Sequence, residues 1–198
     1  ASSNSAIPGT VINLSTGKIW MDRNLGASQV ATSSTDAASY GDLYQWGRLS
    51  DGHQIRTSST TTTKSTTDTP GHGNFILATT SPYDWRSPQN NNLWQGASGV
   101  NNTCPTGFRI PTEAEFDAER ASWISQDAAG AYNSVLKLPL VGLRLEDTGL
   151  LNGVGSSGRY WTSTIDGLNS RRISFDSGSA SFGSSRRSTG FAVRCIKD

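Results

Sequence analysis

The residues with the most chemistry to offer lie in the last fifty positions, where polar side chains alternate with apolar ones. Ile173 and Phe175 alternate with Arg172, Ser174 and Asp176, the period of two expected of a half-buried strand. Guanidinium groups donate forked hydrogen bonds, and short hydroxyl side chains make adaptable ones. This pattern is typical of a surface that recognises a ligand without transforming it.

Two histidines, His53 and His72, are candidates for acid–base catalysis. Both lie in loop-like contexts, DGH and GHG, and no Ser or Cys motif identifies a nucleophile that either would activate. No third group that would orient an imidazole is evident. We therefore interpret both as ordinary loop histidines and predict no catalysis.

Acidic residues offer two other kinds of chemistry. Between residues 113 and 119 they recur at helical spacing, which favours a solvated helix face over an acid–base pair; they are Glu113, Glu115, Asp117 and Glu119. Asp166 and Asp176 are isolated carboxylates, whereas calcium takes roughly six to eight oxygen ligands. We predict neither a catalytic carboxylate pair nor a metal site.

The elements that would position the polar residues are strands. The two alternating runs flank Ser177 and Gly178, which predicts a β-hairpin. A third strand is predicted from Phe191 to Ile196, with alternate residues on one face. Ser184 to Gly190 reads as a short basic loop with Arg186 and Arg187 at its centre.

Upstream signals are local and uneven. An N-terminal hairpin is predicted from Val11–Leu14 and Lys18–Met21, and 36–46 fits either a short helix or a strand. A helix is predicted from Thr112, where TxxE forms a capping box and an apolar stripe follows at Phe116, Trp123 and Ile124.

The stretch from 50 to 103 is the least ordered in pattern. It contains the low-complexity run TSSTTTTKSTTDTPGHG and the breaker cluster NNN. Loops of this length in a compact domain are usually functional or disordered.

Composition and charge exclude several classes. The net charge is +1, with eight Lys/Arg and five Asp/Glu in residues 144–198, too mild a bias for a nucleic-acid interface. No apolar run approaches the length of a membrane span, so no membrane insertion is expected. The first residues, ASSNSAIPG, lack a basic and then apolar signal, so we expect a processed terminus, export by another route, or a virion protein.

One compositional feature marks the region from 148 to 194. It contains no Lys, Glu, Gln or Met, although residues 1–147 contain 3, 4, 6 and 1 of them. One interpretation is a Ser/Gly-rich β surface. The other is genetic: randomising only the adenines of AAC or AAT codons yields Asn, Ser, Gly, Asp, Arg, Thr and Ile, but never Lys, Glu, Gln, Met or Trp. The two interpretations stay open at this point.

Five ordered segments carry a resemblance to a known family. They are IWMDRNLGA (19–27), YGDLYQWGR (40–48), CPTGFRIPTEAEF (104–116), GRYWTST (158–164) and RSTGFAVRCIKD (187–198). Together they resemble the Fibrobacter-type major paralogous domain, which is similar to the C-type lectin fold. The closing pattern also resembles the variable proteins of diversity-generating retroelements.

The resemblance implies an α+β, C-type lectin-like fold of small antiparallel sheets with one or two helices and long loop insertions. We expect one domain over residues 1–198, with a polar insertion at about 50–103 beside the binding face and a variable display region at about 150–194. It also implies that the CPTGF and VRCIKD motifs are spatial neighbours. We therefore favour a disulfide between Cys104 and Cys195, with a buried free pair as the alternative.

The chemistry of related proteins does not carry over. Calcium-dependent lectins use EPN or QPD with WND motifs, and none of these occurs in the chain. The formylglycine-generating enzymes share a related fold but rely on reactive cysteines. Cys195 lies in a strand context with Phe191 and Val193, which indicates burial. Neither a metal nor a cofactor is expected.

The remaining function is non-enzymatic binding through a surface diversified by a retroelement; the alternative is an undiversified cell-surface adhesin or structural module of the same fold. We expect Trp161, Phe175, Phe182 and Phe191 to form the scaffold. The predicted ligand-binding residues are Gly153, Ser157, Arg159, Thr162, Asp166, Gly167, Asn169, Arg171, Arg172, Ser174, Asp176, Ser179, Ser181, Gly183, Ser184, Ser185 and Arg186.

The expected partner is a protein or glycan on a target surface, and the arginines favour an anionic one. Arg171, Arg172 and Arg186 are expected on one exposed surface. The expected location is a virion surface or the cell exterior.

Overall fold

The structure, a computed structural model, describes residues 9–198. The expectation of a processed N-terminus concerns residues outside this range. Within it the chain forms two α-helices and thirteen short strands. The strands are β1 (Thr10–Asn13), β2 (Lys18–Met21), β3 (Tyr44–Gln45), β4 (Thr60–Thr61), β5 (Phe75–Ile76), β6 (Phe108–Arg109), β7 (Leu143–Arg144), β8 (Leu151–Asn152), β9 (Gly158–Asp166), β10 (Asn169–Phe175), β11 (Ala180–Ser185), β12 (Gly190–Phe191) and β13 (Ile196–Lys197). The helices are α1 (Glu113–Ala121) and α2 (Ala128–Asn133).

The strands form mostly small antiparallel sheets. Their orders are β1-β2-β13-β6, β11-β10-β9 and β3-β12-β7-β8, and β4 pairs with β5 in parallel. Small antiparallel sheets with two helices make this an α+β arrangement. No helix in residues 9–198 is long and apolar enough to cross a membrane.

Strand β9 lies between two apolar cores. Tyr160 and Trp161 are consecutive in β9, so their side chains point to opposite faces and enter different clusters. Tyr160 packs with Ile173 and Phe175 in one cluster. Trp161 packs in the other, with its ring centroid 4.4 Å from that of Phe191. The expected buried scaffold residues are confirmed, with Phe182 partly buried at the edge of the first core.

Both predicted hairpins are confirmed. β1 and β2 pair around the turn at residues 14–17, and β10 and β11 pair around Ser177 and Gly178. The predicted third strand is instead two short strands, β12 and β13, joined by residues 192–195, of which Ala192 forms an isolated bridge with Tyr160. Its alternation persists, because Phe191, Val193 and Cys195 enter one core while Ile196 enters the other.

Helix α1 begins as predicted. Thr112 is its N-cap and forms the reciprocal capping box with Glu115. The predicted apolar stripe is wrong at its end, because α1 stops at Ala121 and Ile124 is 87% exposed. The ambiguous stretch from 36 to 46 contains both a 3-10 turn at Ala37–Ser39 and strand β3.

The prediction of a solvated acidic helix face is also wrong. Glu119 is fully buried and accepts a hydrogen bond of 2.5 Å from Asn13 Nδ2. Burial raises the pKa of its carboxyl group. Glu115 forms an ion pair of 2.7 Å with Arg109, and Glu113 is paired with the display hairpin. These three carboxylates therefore fasten α1 to other parts of the fold, whereas Asp117 is half exposed and pairs with Arg120 within α1.

The polar insertion from 50 to 103 is integrated into the protein. It contributes the parallel pair β4-β5 and buries Phe75, Trp85 and Trp94 completely. Scattered aromatic residues bury large areas, so a polar segment still packs against the second core. The predicted bond between Cys104 and Cys195 is present and joins the end of this insertion to the C-terminal segment, with a Cα–Cα distance of 5.9 Å.

Candidate ligand-binding surface

Strand register determines which polar residues share a surface. Residues paired directly across an antiparallel sheet project from the same face. Ser174 is paired with Ser181 on one side and Arg159 on the other, and Arg172 is paired with Gly183. These positions lie opposite the face that carries Ile173. We call this set the open face; it comprises Arg159, Arg172, Ser174, Ser181, Gly183 and Ser185.

The predicted binding residues differ in exposure. The exposed ones are Asp166, Gly167, Asp176, Ser179, Ser181 and Arg186. The half-buried ones are Gly153, Ser157, Arg159, Asn169, Arg171, Arg172, Ser174, Gly183, Ser184 and Ser185. Thr162 is a correction, since it is fully buried and its Oγ1 donates to the carbonyl of Arg171 at 2.9 Å. It bridges the irregular pairing between β9 and β10 instead of meeting a ligand.

Two predicted residues lie in a separate turn. Gly153 and Ser157 belong to the connection between β8 and β9, where Ser157 Oγ donates to the Gly153 carbonyl at 3.3 Å. At the opposite end of the hairpin, Asp176 Oδ1 accepts from the backbone N–H groups of Gly178 and Ser179. These groups shape turns beside the open face.

Arg171 points away from the open face, toward helix α1. Its Nε donates to Glu113 Oε2 at 2.6 Å and its Nη2 to Glu113 Oε1 at 2.9 Å. The hydrogen bond to Glu113 and the charges of Glu113 and Asp166 raise the pKa of Arg171. Ser184 joins the cluster, accepting from Arg171 and donating to Asp166. The expectation that Arg171 shares a surface with Arg172 is therefore wrong, because consecutive strand residues face opposite ways.

Arg186 lies across a groove from the open face. Its Nη1 contacts Glu146 Oε1 at 2.8 Å, and its guanidinium carbon lies 3.7 Å from the centre of the Tyr83 ring. The groove has a volume of about 340 Å³ and runs between Arg159 and Asn169 on the sheet and Glu146 and Arg186 opposite. Glu146 also accepts from Thr189, so it is engaged twice.

Arg187, predicted at the centre of a short basic loop, is fully buried. Its guanidinium lies 4.6 Å from the centre of the Trp46 ring and donates to Asn91 Oδ1 at 2.8 Å. Burial lowers its pKa, and the charge of Asp84 opposes this effect. The planar cation fills a site between the insertion and the second core, a role that the sequence did not indicate.

Two arginines of the open face lie side by side. Burial and the charges of Arg159 and Arg171 lower the pKa of Arg172 to about 10. Burial also lowers the pKa of Arg159, although the charge of Asp176 opposes it. Arg172 Nε donates to Ser185 Oγ at 3.0 Å. The face is therefore cationic at its centre.

The insertion lies beside this surface, as the resemblance implied. Gln89 Nε2 donates to the Leu168 carbonyl at 2.9 Å, in the turn between β9 and β10, and also to Asp84. Tyr83 stacks under Arg186. Residues far upstream thus support the rim of the candidate site.

Sequence reasoning missed exposed aliphatic residues at the rim. Leu168 lies in the two-residue turn between β9 and β10, Ile165 lies near the end of β9, and both are exposed. Leu150, Leu151 and Val154 are exposed in and around β8. The available signal was an apolar residue within and just before a short turn. Such residues supply apolar contact area that the aromatic-poor display lacks.

His53 has the orienting group that the sequence did not reveal. Its Nδ1 lies 2.6 Å from Asp51 Oδ1, and its Nε2 accepts the backbone N–H of Gln45 at 3.0 Å. Both ring nitrogens are engaged in a fully buried site. Burial lowers the pKa of His53 to about 4. The imidazole therefore holds two backbone segments together and has no free nitrogen for proton transfer.

Within residues 9–198, no three His, Cys, Asp or Glu side chains are grouped as a metal site requires. Comparisons of the chain with family models, with curated proteins and with solved structures found no match.

Proposed function

We propose that the chain is a non-catalytic binding protein that recognises a protein or glycan on a target surface through the open face and the adjoining groove. One observation carries this proposal. On the inner side of the hairpin, Ile173 and Phe175 of β10 lie in the core and Phe182 of β11 packs against it. On the outer side, Ser174 and Ser181 lie opposite each other. Neither serine side chain makes a hydrogen bond to any residue from 9 to 198. Such positions can change without disturbing the fold.

A C-type lectin-like fold of the Fibrobacter-type paralogous family is part of the proposal. The arrangement of small antiparallel sheets with two helices supports it. So does the disulfide, because it joins the two motifs, CPTGF and VRCIKD, that the resemblance places together. The long insertion beside the binding surface is a third point of agreement.

We further propose that a retroelement diversifies the display. The absence of Lys, Glu, Gln and Met from 148–194 supports adenine-directed change. The serines, arginines and glycine of the open face are all residue types that such change produces. A virion or cell-surface location follows from this function. An undiversified adhesin or structural module of the same fold is the alternative.

The genomic neighbourhood distinguishes these two. A diversified protein requires a reverse transcriptase gene and a near-copy of the region encoding residues 150–198 that differs at adenines. A gene cluster with neither would favour the adhesin and refute the diversification.

The binding function is tested with a paired substitution. Ser174→Tyr with Ser181→Tyr should change the free energy of unfolding by no more than about 0.5 kcal/mol for each site, since both side chains are free. Binding to an array of purified glycans and cell-surface proteins should change. The matched control, Ser15→Tyr with Thr106→Tyr, changes two exposed turn residues outside this surface and should bind as the wild type does.

Identical array profiles for all three proteins would contradict the proposed surface. A combined destabilisation of several kcal/mol in the Ser174 and Ser181 variant would show that these positions belong to the packed fold.

A further inference from the structure

The open face carries positive charge that the fold leaves unbalanced. Arg171 and Arg186, which flank this face, each have a carboxylate partner. Arg159 and Arg172 have none within 4 Å in the part of the chain that the structure describes. Half-buried arginines normally pair with an acid or with carbonyl oxygens, so an unpaired couple requires an explanation.

Geometry places the two guanidiniums together. Arg159 is paired with Ser174, and Arg172 lies two residues from Ser174 on the same strand. The two arginines are therefore diagonal neighbours on one face, roughly 7 to 8 Å apart at their backbones and within reach of each other's long side chains. Burial is the main cause of the lowered pKa of Arg172, and the further lowering by the Arg159 charge agrees with this proximity.

Most of their donors have no hydrogen-bond partner among residues 9–198. Arg172 lies flat over β11, where a Cβ built on Gly183 would be 3.2 Å from Arg172 Nη2. Only its Nε is engaged, by Ser185. Arg159 Nε is buried and has no hydrogen-bond partner among residues 9–198. A glycine beneath the guanidinium and a serine at its edge thus hold Arg172 in place while both terminal nitrogens remain open.

The surroundings point to the class of ligand. The adjoining groove is lined by Ser185, Thr189 and Asn169, and its opposite wall carries Glu146 and Arg186, whose charges are paired with each other. Hydroxyl and amide groups in a narrow polar groove match the hydroxyls of a saccharide. Forked guanidinium donors match the oxygens of a carboxylate or sulfate.

We propose that Arg159 and Arg172 form the anion subsite of this surface and bind the carboxylate or sulfate group of an acidic saccharide. The inference rests on the proposed function and specifies its ligand. The bound anion would balance the two charges, and the groove would hold the sugar ring that carries it.

Calorimetric titration with three saccharides of matched length tests this: a sulfated oligosaccharide derived from heparin, a carboxylated oligogalacturonate and a neutral maltooligosaccharide. An acidic peptide is titrated as a fourth probe. Wild type should bind at least one acidic saccharide, more weakly at high salt, and bind the neutral one poorly. The sulfated and carboxylated probes identify which anion the subsite prefers.

Variants locate the effect. Arg159→Ser with Arg172→Ser should weaken acidic-saccharide binding by about a hundredfold or more, since each charge-assisted contact is worth about tenfold. Arg159→Lys with Arg172→Lys keeps the charges but removes the forks, and should lose an intermediate amount. Gly183→Ala should also weaken binding, because its methyl group displaces the Arg172 guanidinium.

The matched control is Arg23→Ser with Arg120→Ser, which removes the same net charge from arginines outside the open face. It should leave affinity within about twofold of wild type. Equal losses in the control and the site variant would show diffuse attraction and overturn the subsite. Binding of the acidic peptide with no acidic saccharide bound would overturn the ligand class.

The proposed function fails separately from this inference. If wild type binds only neutral saccharides or proteins, and Ser174→Tyr with Ser181→Tyr alters that binding, the anion subsite is wrong and the binding surface stands. If acidic saccharides bind and no substitution on the open face alters their affinity, both are wrong. Thermal melting of each variant checks that the fold is retained, and the lysine pair supplies the test should the serine pair unfold.

Discussion

Gly158 at the start of β9 is expected to be one of the least replaceable residues of the display sheet. It pairs directly with Phe175 on β10, and its missing side chain leaves room for the Phe175 ring. A Cβ at this position would lie 2.1 Å from Cε2 and Cζ of that ring and 2.8 Å from Cε1. Gly158→Ala must therefore displace the ring, although the backbone of residue 158 is not in a conformation reserved for glycine.

The ring has little freedom to move. It stacks on Tyr160 with ring centroids 5.8 Å apart. It also meets the Trp123 ring edge to face, with ring centroids 5.7 Å apart. Overpacking a core typically costs about 1 to 3 kcal/mol, and we expect the upper end because Phe175 is held on both sides. For a protein of 198 residues this corresponds to a fall in melting temperature of roughly 6 to 12 °C.

Urea unfolding of the wild type, Gly158→Ala, Phe175→Leu and the double variant measures the loss of stability and shows whether the Phe175 ring causes it. Phe175→Leu removes the three ring atoms that clash, so Gly158→Ala should cost at least about 1 kcal/mol less in that background. Gly178→Ala in the turn between β10 and β11 is the control, because its added Cβ would lie 3.5 Å from Asp176 Oδ1, an ordinary contact distance. A Gly158→Ala variant within about 0.5 kcal/mol of wild type, or a cost unchanged by Phe175→Leu, would refute the reasoning.

Two further predictions concern the frame. Replacing Cys104 and Cys195 together by Ala removes a disulfide that joins residues 91 positions apart. On the loop-entropy model this should lower the free energy of unfolding, measured by urea titration, by roughly 4 to 5 kcal/mol. A loss below about 1 kcal/mol would contradict this prediction. Burial lowers the pKa of His53 from 6.5 to about 4, against its bond to Asp51, so the unfolded chain takes up a proton first as pH falls. Titration of His53 therefore leaves the free energy of unfolding unchanged above pH 6.5 and should lower it by on the order of 3 kcal/mol by pH 4. An NMR titration midpoint near pH 6.5 for the His53 ring would contradict this prediction.

Local signals in the sequence predicted local structure well. The hairpin around Ser177 and Gly178, the N-terminal hairpin and the capping box at Thr112 all depend on neighbours within a few residues. The pairing of Cys104 with Cys195 came from resemblance, since spacing alone does not select it. The inward direction of Ile173 and Phe175 was also predicted correctly, because strand periodicity determines which residues share a face, whereas Arg171 was wrongly placed beside Arg172.

Predictions that depended on distant partners were less successful. Glu119 is buried because Asn13, 106 residues away, donates to its carboxylate. Thr162 is buried where β9 and β10 pair irregularly, and no local pattern marks that irregularity. The insertion from 50 to 103 packs against the second core through a few aromatic residues within a polar sequence.

The alternation of side chains along a strand, which the sequence shows by itself, places Arg171 and Arg172 on opposite faces of β10, contrary to the expectation that they share one surface. The sequence by itself also determined that serine and arginine residues cluster on the outer face of the β10–β11 hairpin. Only the tertiary structure decided which arginine is neutralised: α1 brings Glu113 to Arg171, whereas no carboxylate of the described residues reaches Arg172. Charge pairing requires contact within about 4 Å, and only the packed fold determines which of the distant acidic residues comes that close.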